Sequence, residues 1–324
     1  MDENKLLAWL LDSDPAIRWQ VLRDIVHTEE ASWAAERARV ATHGWGGRLL
    51  SYQDKSGQWG KSLHNNKWVS TTYSLLLLHR MGLPQDNPRA ARGCQALFEG
   101  GYQQDGVIRF SKKTDVIDNS INGIVLTLLS YFAYPDERVH TIAEYLLGQQ
   151  KKNGRWEPYP ENEKLKYTLA ATLLILSGLR QYEQQYPERA AEAAAAAQER
   201  GREFLLSHHL YKEIDSDEVI SKKTTLFSFP PRWKYDVLTA LDYFQACSTP
   251  HDPRMKDAIK LLKEKRHKNG SWNLQNQHVG KSFFEMEEVG SPSRWNTLRA
   301  MRVLNWWKAQ KHYEGQEDDV EFKE

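Results

Sequence analysis

Several features that large function classes require are missing from this chain. It has only two cysteines, Cys94 and Cys247, too few for a disulfide framework or a thiolate-built zinc site. Both fall in apolar helical contexts, where a reduced thiol behaves as a small buried hydrophobe. Charge of one sign is also lacking: Lys+Arg 44 against Asp+Glu 43 leaves +1, with no dense basic stripe, so nucleic acid is not an expected partner. The longest apolar run, Thr168 to Leu179, is too short to span a bilayer. The opening MDENKLLAWLLDSD is acidic with a short apolar stretch, unlike a secretory signal. Together these point to a cytoplasmic, soluble protein with no transmembrane segment. Hardly any run of alternating β-branched residues is long enough for a strand. A phosphate-binding Gly-rich loop, an H-E-x-x-H pair and a Ser/His/Asp arrangement are absent too, so neither a metal nor a cofactor is implied.

What the chain has is tryptophan, 12 in 324 residues, placed by a repeat. Leu146 to Trp156 reads LLGQQKKNGRW: two leucines closing a helix, a polar turn, then Gly-x-Trp. Leu49-Leu50 with Gln53, Gly57 and Trp59 match it position for position. Leu261-Leu262 with Gly270 and Trp272 match it with Arg266 in the glutamine's place. A degenerate copy follows Leu97 at Gln104-Asp105-Gly106. A period of about fifty residues marks an array of helical hairpins.

Between the turns the pattern is helical and of two kinds. KWVSTTYSLLLLHRMG, DNSINGIVLTLLSYF and KLKYTLAATLLILSGL are apolar on nearly every face, as enclosed helices are. Pro88 to Phe98, Glu137 to Leu147 and Glu188 to Leu206 are amphipathic and suit an outer layer. Inner helices are expected to begin near Arg18, Lys67, Asp118, Lys166, Arg232 and Arg294. Six hairpins can close into a ring, so the expectation is all-α: an (α/α)6 toroid of six inner and six outer helices. It would form one domain over residues 1–310, followed by an acidic tail at 311–324. Two long polar loops, Tyr211 to Phe229 and Leu274 to Gly290, are of a length that commonly covers a site.

These turns, together with DPAIRWQVLRD, FPPRWKYDVLTALDYF and SRWNTLRAMRVL, resemble the squalene cyclase and protein prenyltransferase superfamily, in particular its single-toroid squalene cyclase-like, prenyltransferase-repeat members. The resemblance covers essentially the whole chain and implies a toroid enclosing an apolar, terpenoid-like ligand. It does not extend to the family's chemistry. Where class II cyclases carry D-x-D-D, this chain reads Asp115-Val116-Ile117-Asp118, and Asp215-Ser216-Asp217-Glu218 stands in a loop out of register. The prenyltransferase zinc set needs Asp and Cys one residue apart, whereas Asp242 and Cys247 are farther separated.

At five of the inner starts a basic residue precedes an aromatic: Arg18-Trp19, Lys67-Trp68, Lys166-Tyr167, Arg232-Trp233 and Arg294-Trp295. In a toroid these pairs should converge on one rim, beside helix amino ends with their partial positive charge. Tyr235 and Asn122 belong to the same expected lining. Such a rim suits a small-molecule ligand that is anionic or amphipathic. Repeated packing of Arg on Trp to seal the ring is the competing explanation. Asp236 and Asp118 are the carboxylates placed to act in proton transfer, although an Asp at a helix start equally serves as a cap. Two other functions compete with a cyclase-like one: cleavage of an acidic sugar, which needs two carboxylates facing each other across the cavity, and a non-catalytic binding or scaffold module. Oligomeric state is not legible from these patterns.

Overall fold

The computed structural model describes residues 3–111, 116–160, 164–214 and 216–314. Its α-helices, in chain order, are α1 (Glu3–Leu11), α2 (Pro15–Val21), α3 (Glu30–Ala38), α4 (Gly44–Ser51), α5 (Thr71–Met81), α6 (Pro88–Gly101) and α7 (Asn119–Tyr131). They continue as α8 (Val139–Gly148), α9 (Leu165–Gln185), α10 (Pro187–Ser207), α11 (Val237–Ala246), α12 (Lys256–Glu264) and α13 (Arg294–Glu314). Strand is confined, among the described residues, to an antiparallel pair, β1 (Trp272–Asn273) and β2 (Pro292–Ser293). No described helix is long and apolar enough to cross a membrane.

Helices α5, α7, α9, α11, α13 and α2 pack in that circular order. The seam between α2 and α5 is held by side chains: the Trp19 indole donates to the Met81 carbonyl at 2.8 Å and Gln20 to that of Arg80 at 3.3 Å. Arg302 of α13 closes the opposite seam, reaching Asp24 just beyond α2 at 2.9 Å and Asp242 of α11 at 2.8 Å. Outside this ring lie α1, α4, α6, α8, α10 and α12, with α3 packed against α2. The arrangement is an all-α (α/α)6 toroid. The enclosed helices are buried all round, as α5 is from Thr71 through Leu78, while α6 buries one face through Ala90, Gly93, Cys94, Leu97 and Phe98.

The repeated turn explains why these hairpins form. An outer helix ends with carbonyls that have no partner of their own. Inside the wall water cannot serve them, and an unpaired buried carbonyl costs about 1–3 kcal/mol. At three corners a buried tryptophan supplies the donor. Trp59 Nε1 donates to Leu49 O at 2.8 Å, Trp156 Nε1 to Leu146 O at 2.6 Å, and Trp272 Nε1 to Leu262 O at 2.8 Å. The backbone N–H of each of these tryptophans donates to a threonine hydroxyl on the following inner helix, Thr71, Thr172 or Thr297, at 3.0 Å. Gln53 and Gln150 fasten the turn to the next outer helix through the carbonyls of Arg89 (2.8 Å) and Ala197 (2.8 Å). Within the turn the same glutamines also donate to Gly57 O and Gly154 O at 2.9 Å, and Arg266 keeps that bond alone, donating to Gly270 O at 3.2 Å. The glycine has no substitute, because Gly154 has φ +86° and a Cβ there would meet the Arg200 carbonyl at 2.1 Å, impossible for any L side chain.

The degenerate fourth copy keeps the bonding while changing the residues. Ile108 stands two residues after Gly106, where the tryptophan would be, and Asn122 replaces the threonine. Asn122 accepts from Ile108 N at 2.8 Å and donates to Ile108 O at 3.1 Å. Tyr102 takes the glutamine's position, its hydroxyl 2.8 Å from Thr141 Oγ1 on α8.

Two inner helices begin later than the sequence suggests. Lys67 and Arg232 have φ of 48° and 58°, a left-handed conformation that a right-handed helix cannot include. Helix α5 therefore starts at Thr71, and α11 starts at Val237 with Asp236 as its cap. Helix α2 starts earlier, at Pro15. Its cap Asp14 accepts from Ala16 N at 2.9 Å and Trp45 N at 2.7 Å.

If these bonds hold the corners, Asn122→Ala, which strips both backbone partners from Ile108, lowers unfolding free energy by about 1–3 kcal/mol for each group left unpaired. Urea denaturation of Asn122→Ala beside Trp156→Phe measures this, and unchanged midpoints would refute the corner bonding.

Candidate functional site: a lysine-mouthed cavity at the amino rim

Two adjoining cavities, of about 340 and 360 Å³, open where α5, α7 and α9 begin, and they share Tyr167, Ala170 and Trp233 as a common wall. The first is mainly apolar, with Tyr73, Ile121, Ile124 and Pro158 around it and His64, Ser120 and Asp118 as polar groups. The second is walled by both long loops: Ser221, Lys223, Thr224 and Ser228 come from one, Asn276 to Val279 from the other. Trp68, Tyr235, Lys166 and Lys234 complete it.

Charge in the second cavity is of one sign. Lys234 Nζ lies 3.3 Å from the centre of the Trp233 ring and 5.8 Å from that of Tyr167, and Lys166 Nζ lies 5.0 Å from Tyr167. Burial first, and then the nearby charges of Lys223, Lys166 and Lys67, push the Lys234 amine down to about 8. No carboxylate lines this cavity among the described residues. Aromatic faces attract the ammonium groups but cannot neutralise them. The histidines do not add charge near neutrality, because burial pushes both His64 and His278 down to about 4. The His278 carbonyl accepts the Trp68 indole N–H at 2.8 Å and so holds its loop over the cavity.

In the apolar cavity Asp118 caps α7, accepting from Ser120 N at 2.8 Å and Ile121 N at 3.2 Å. Those bonds favour the carboxylate, yet burial outweighs them and holds the carboxyl above its ordinary range. It is the one carboxylate lining either cavity among the described residues. The facing pair that sugar cleavage requires is therefore not present there.

The structure brings together Asp118, Trp68, Tyr167, Trp233 and Tyr235, with Lys67 exposed close enough to raise the local positive potential. Tyr235 contributes its ring, since its hydroxyl donates to Leu210 O at 2.5 Å. Arg232 lies beneath this wall, its guanidinium 5.2 Å from the Trp68 ring and pushed down to about 10 by burial. The other expected residues point elsewhere. Arg18 pairs with Glu36 of α3 at 3.2 Å. Arg294 holds α13 to α1, donating to the carbonyls of Trp9 and Asp12 at 3.0 Å. Trp19 and Trp295 line a separate cavity at the other end of the ring, and Asn122 belongs to the Ile108 corner. Asp115 lies outside the described residues. Asp236 has both oxygens saturated: one accepts from Thr239 N (2.8 Å) and Oγ1 (2.9 Å), the other from Ser228 N (3.1 Å) and Oγ (2.7 Å). A buried carboxylate with four donors is a helix cap and loop anchor, with no lone pair left for proton transfer.

Sequence reading missed Lys223, Lys234, His64 and Tyr73 as lining. A signal for Lys234 was present in Arg232-Trp233-Lys234-Tyr235, but the left-handed residue at 232 decides which of the two cations enters the cavity.

No family model matches the sequence, and no curated protein does. Solved structures similar to this chain over most of its length include a protein from Actinoplanes, at 15% identity and TM-score 0.46, covering 91% of this chain and 90% of that one. Type II terpene cyclase MstE from Scytonema, in its apo form, is similar at 17% identity and TM-score 0.43, covering 91% and 87%. A variant of that cyclase in complex with geranylgeranyl dihydroxybenzoate is similar at 17% identity and TM-score 0.42, covering 91% and 86%.

Desolvation of Lys234 sets a pH dependence with a definite sign. Its folded-state pKa of about 8 lies below the ordinary 10.5, so between these values the unfolded chain binds the extra proton and stability rises with pH. The penalty is fully present below about 8. Lys234→Met therefore raises the melting temperature at neutral pH, and the gain shrinks as pH climbs toward 10.5. Scanning fluorimetry across that range checks it, a flat difference counting against a desolvated amine.

Proposed function

We propose that the amino-rim cavity binds an amphipathic small anion, its carboxylate or phosphate among Lys166, Lys223 and Lys234 and its apolar part against Tyr167, Trp233, Ile121 and Ile124. The observation that carries this reading is the lysine cluster itself, gathered on aromatic walls with no lining carboxylate among the described residues. Uncompensated ammonium groups repel one another at a cost to the fold. An anion removes that cost and gains from the low-dielectric surroundings. The joined cavities have the size usual for a small-molecule site, and their apolar lining suits a terpenoid-like or aryl remainder.

A second reading is favoured by Asp118. A carboxyl that burial holds above its ordinary range, at the apolar end of a cavity whose mouth orients an anion, is suited to protonate an alkene or other weak base. Binding and proton transfer then belong to opposite ends of one ligand.

Farnesoic acid tests both readings. Calorimetry is expected to give saturable binding, weakened at least tenfold by Lys166→Ala combined with Lys234→Ala and weakened further by salt. Equal affinity in that variant overturns the binding site. On mass spectrometry, an isomer of unchanged mass formed by the wild type but not by Asp118→Asn, which still binds, supports proton transfer; no isomer from the wild type removes the second reading.

A further inference from the structure

The opposite end of the ring holds a third cavity, of about 460 Å³, which shares no lining residue with the two at the amino rim. It is formed by the carboxyl-terminal parts of α5, α7 and α9 and by Thr239, Asp242 and Ala246 of α11, with Trp19 and Gln20 of α2 and the amino-terminal half of α13. Six arginines line it: Arg23, Arg37, Arg80, Arg180, Arg299 and Arg302. Against them stands Asp242, the lining carboxylate among the described residues, paired with Arg299 at 3.2 Å and Arg302 at 2.8 Å. Asp24 at the edge pairs with Arg302 at 2.9 Å and with Arg23 at 2.5 Å.

Part of this charge has a structural use, because helix carboxyl ends expose carbonyls that arginine caps. Arg37 donates to Gly82 O at 2.9 Å and to the Tyr131 hydroxyl at 3.0 Å, Arg80 to Arg232 O at 3.2 Å, and Arg180 to Ala246 O at 2.6 Å. Each guanidinium carries five N–H donors, so these bonds leave most of them available. Carbonyl caps also cancel no formal charge, and capping alone gives no reason to concentrate so many guanidinium groups on one hollow. His79, on the same wall, has Nδ1 buried without a hydrogen-bond partner. Burial, with Arg80, Arg180 and Arg37 beside it, pushes His79 down to about 3, so it faces the cavity neutral. Burial together with Arg299 and Arg232 also lowers Arg80 to about 9.

From this juxtaposition of a roomy cavity and three arginines that, among the described residues, form no ion pair with a carboxylate, we infer a second anion site, one that takes the phosphate or diphosphate group of a small molecule. Forked guanidinium donors converging from several helices match the several oxygens of such a group, where a lone carboxylate would satisfy few of them. The site is independent of the lysine cavity. Ser228 lines the amino-rim side and Phe229 and Pro231 the carboxyl side, and Phe229 is stacked on Trp295 with ring centres 4.0 Å apart.

Calorimetric titration of the full chain with inorganic pyrophosphate, and separately with phenyl phosphate, tests the inference. At least one should bind saturably, and the tighter arm tells whether the group is taken free or as an ester. Arg37→Met and Arg180→Met should each lower that affinity about tenfold, one lost charge-assisted contact. Arg180→Lys should recover part of the loss, and because the proposed lysine site also takes phosphate, the arginine variants are compared in the Lys166→Ala, Lys234→Ala background, where binding should persist. If neither anion binds the wild type, or both Met variants bind like it, the arginines are structural and the inference fails. Loss of all saturable binding in the Lys166→Ala, Lys234→Ala background would place the anion at the amino rim alone and also overturn it.

Discussion

The ring depends on carbonyl groups at the ends of its outer helices, which must find donors inside a packed wall. Tryptophan is suited to this because it joins a large apolar body to a single N–H. At three corners the ring fills the space between an outer and an inner helix, and the N–H meets the stranded carbonyl of Leu49, Leu146 or Leu262. A threonine on the inner helix then takes the next backbone N–H. With both ends of the turn bonded, the angle between the helices is set, and repeating that angle brings α13 back to α2. Everything about the cavities, including which side chains face them, follows from this closure.

That constraint also decides what the sequence could disclose. The corner bonding needs particular residues at particular spacings, so Gln-x-x-x-Gly-x-Trp was visible, and with it the hairpins and the toroid. The functional rim was less visible, because it depends on the handedness of single residues. Arg232 and Lys67 lie in left-handed conformations before their helices, which turns the Arg232 side chain beneath Trp68 and leaves Lys234 facing the cavity. The pairs Arg18-Trp19 and Arg294-Trp295 look like the others in sequence, yet Arg18 meets Glu36 and Arg294 meets the carbonyls of Trp9 in α1 and Asp12 just after it, since α2 starts early and α13 abuts the outer layer. Asn122 was misread for a related reason. As a substitute threonine at the corner where Ile108 replaces tryptophan, it is recognisable only once the hydrogen bonds are counted. The repeat is thus conserved within this chain as a pattern of paired backbone groups more than as a pattern of side chains.

Both mouths of the toroid gather cations, though by different chemistry. The amino rim uses lysines laid on aromatic faces, compact charges on flexible stems, at the end where helix dipoles already favour an anion. The carboxyl end uses arginines, whose planar forks cap helix carbonyls and still present free donors. Neither arrangement is what stability alone would select, since like charges crowded into partly buried space oppose folding. Such departures from local optimality are where function is to be sought.

The stack of Phe229 on Trp295, with Pro231 and Arg232 beside it, turns the ring from a tunnel into two cups set base to base. The hollows on its two sides share no lining residue. The floor they share also connects them mechanically: Arg80, on the wall of one cup, holds the carbonyl of Arg232, whose guanidinium supports the Trp68 wall of the other. A substitution at that floor would therefore bear on the walls of both hollows at once.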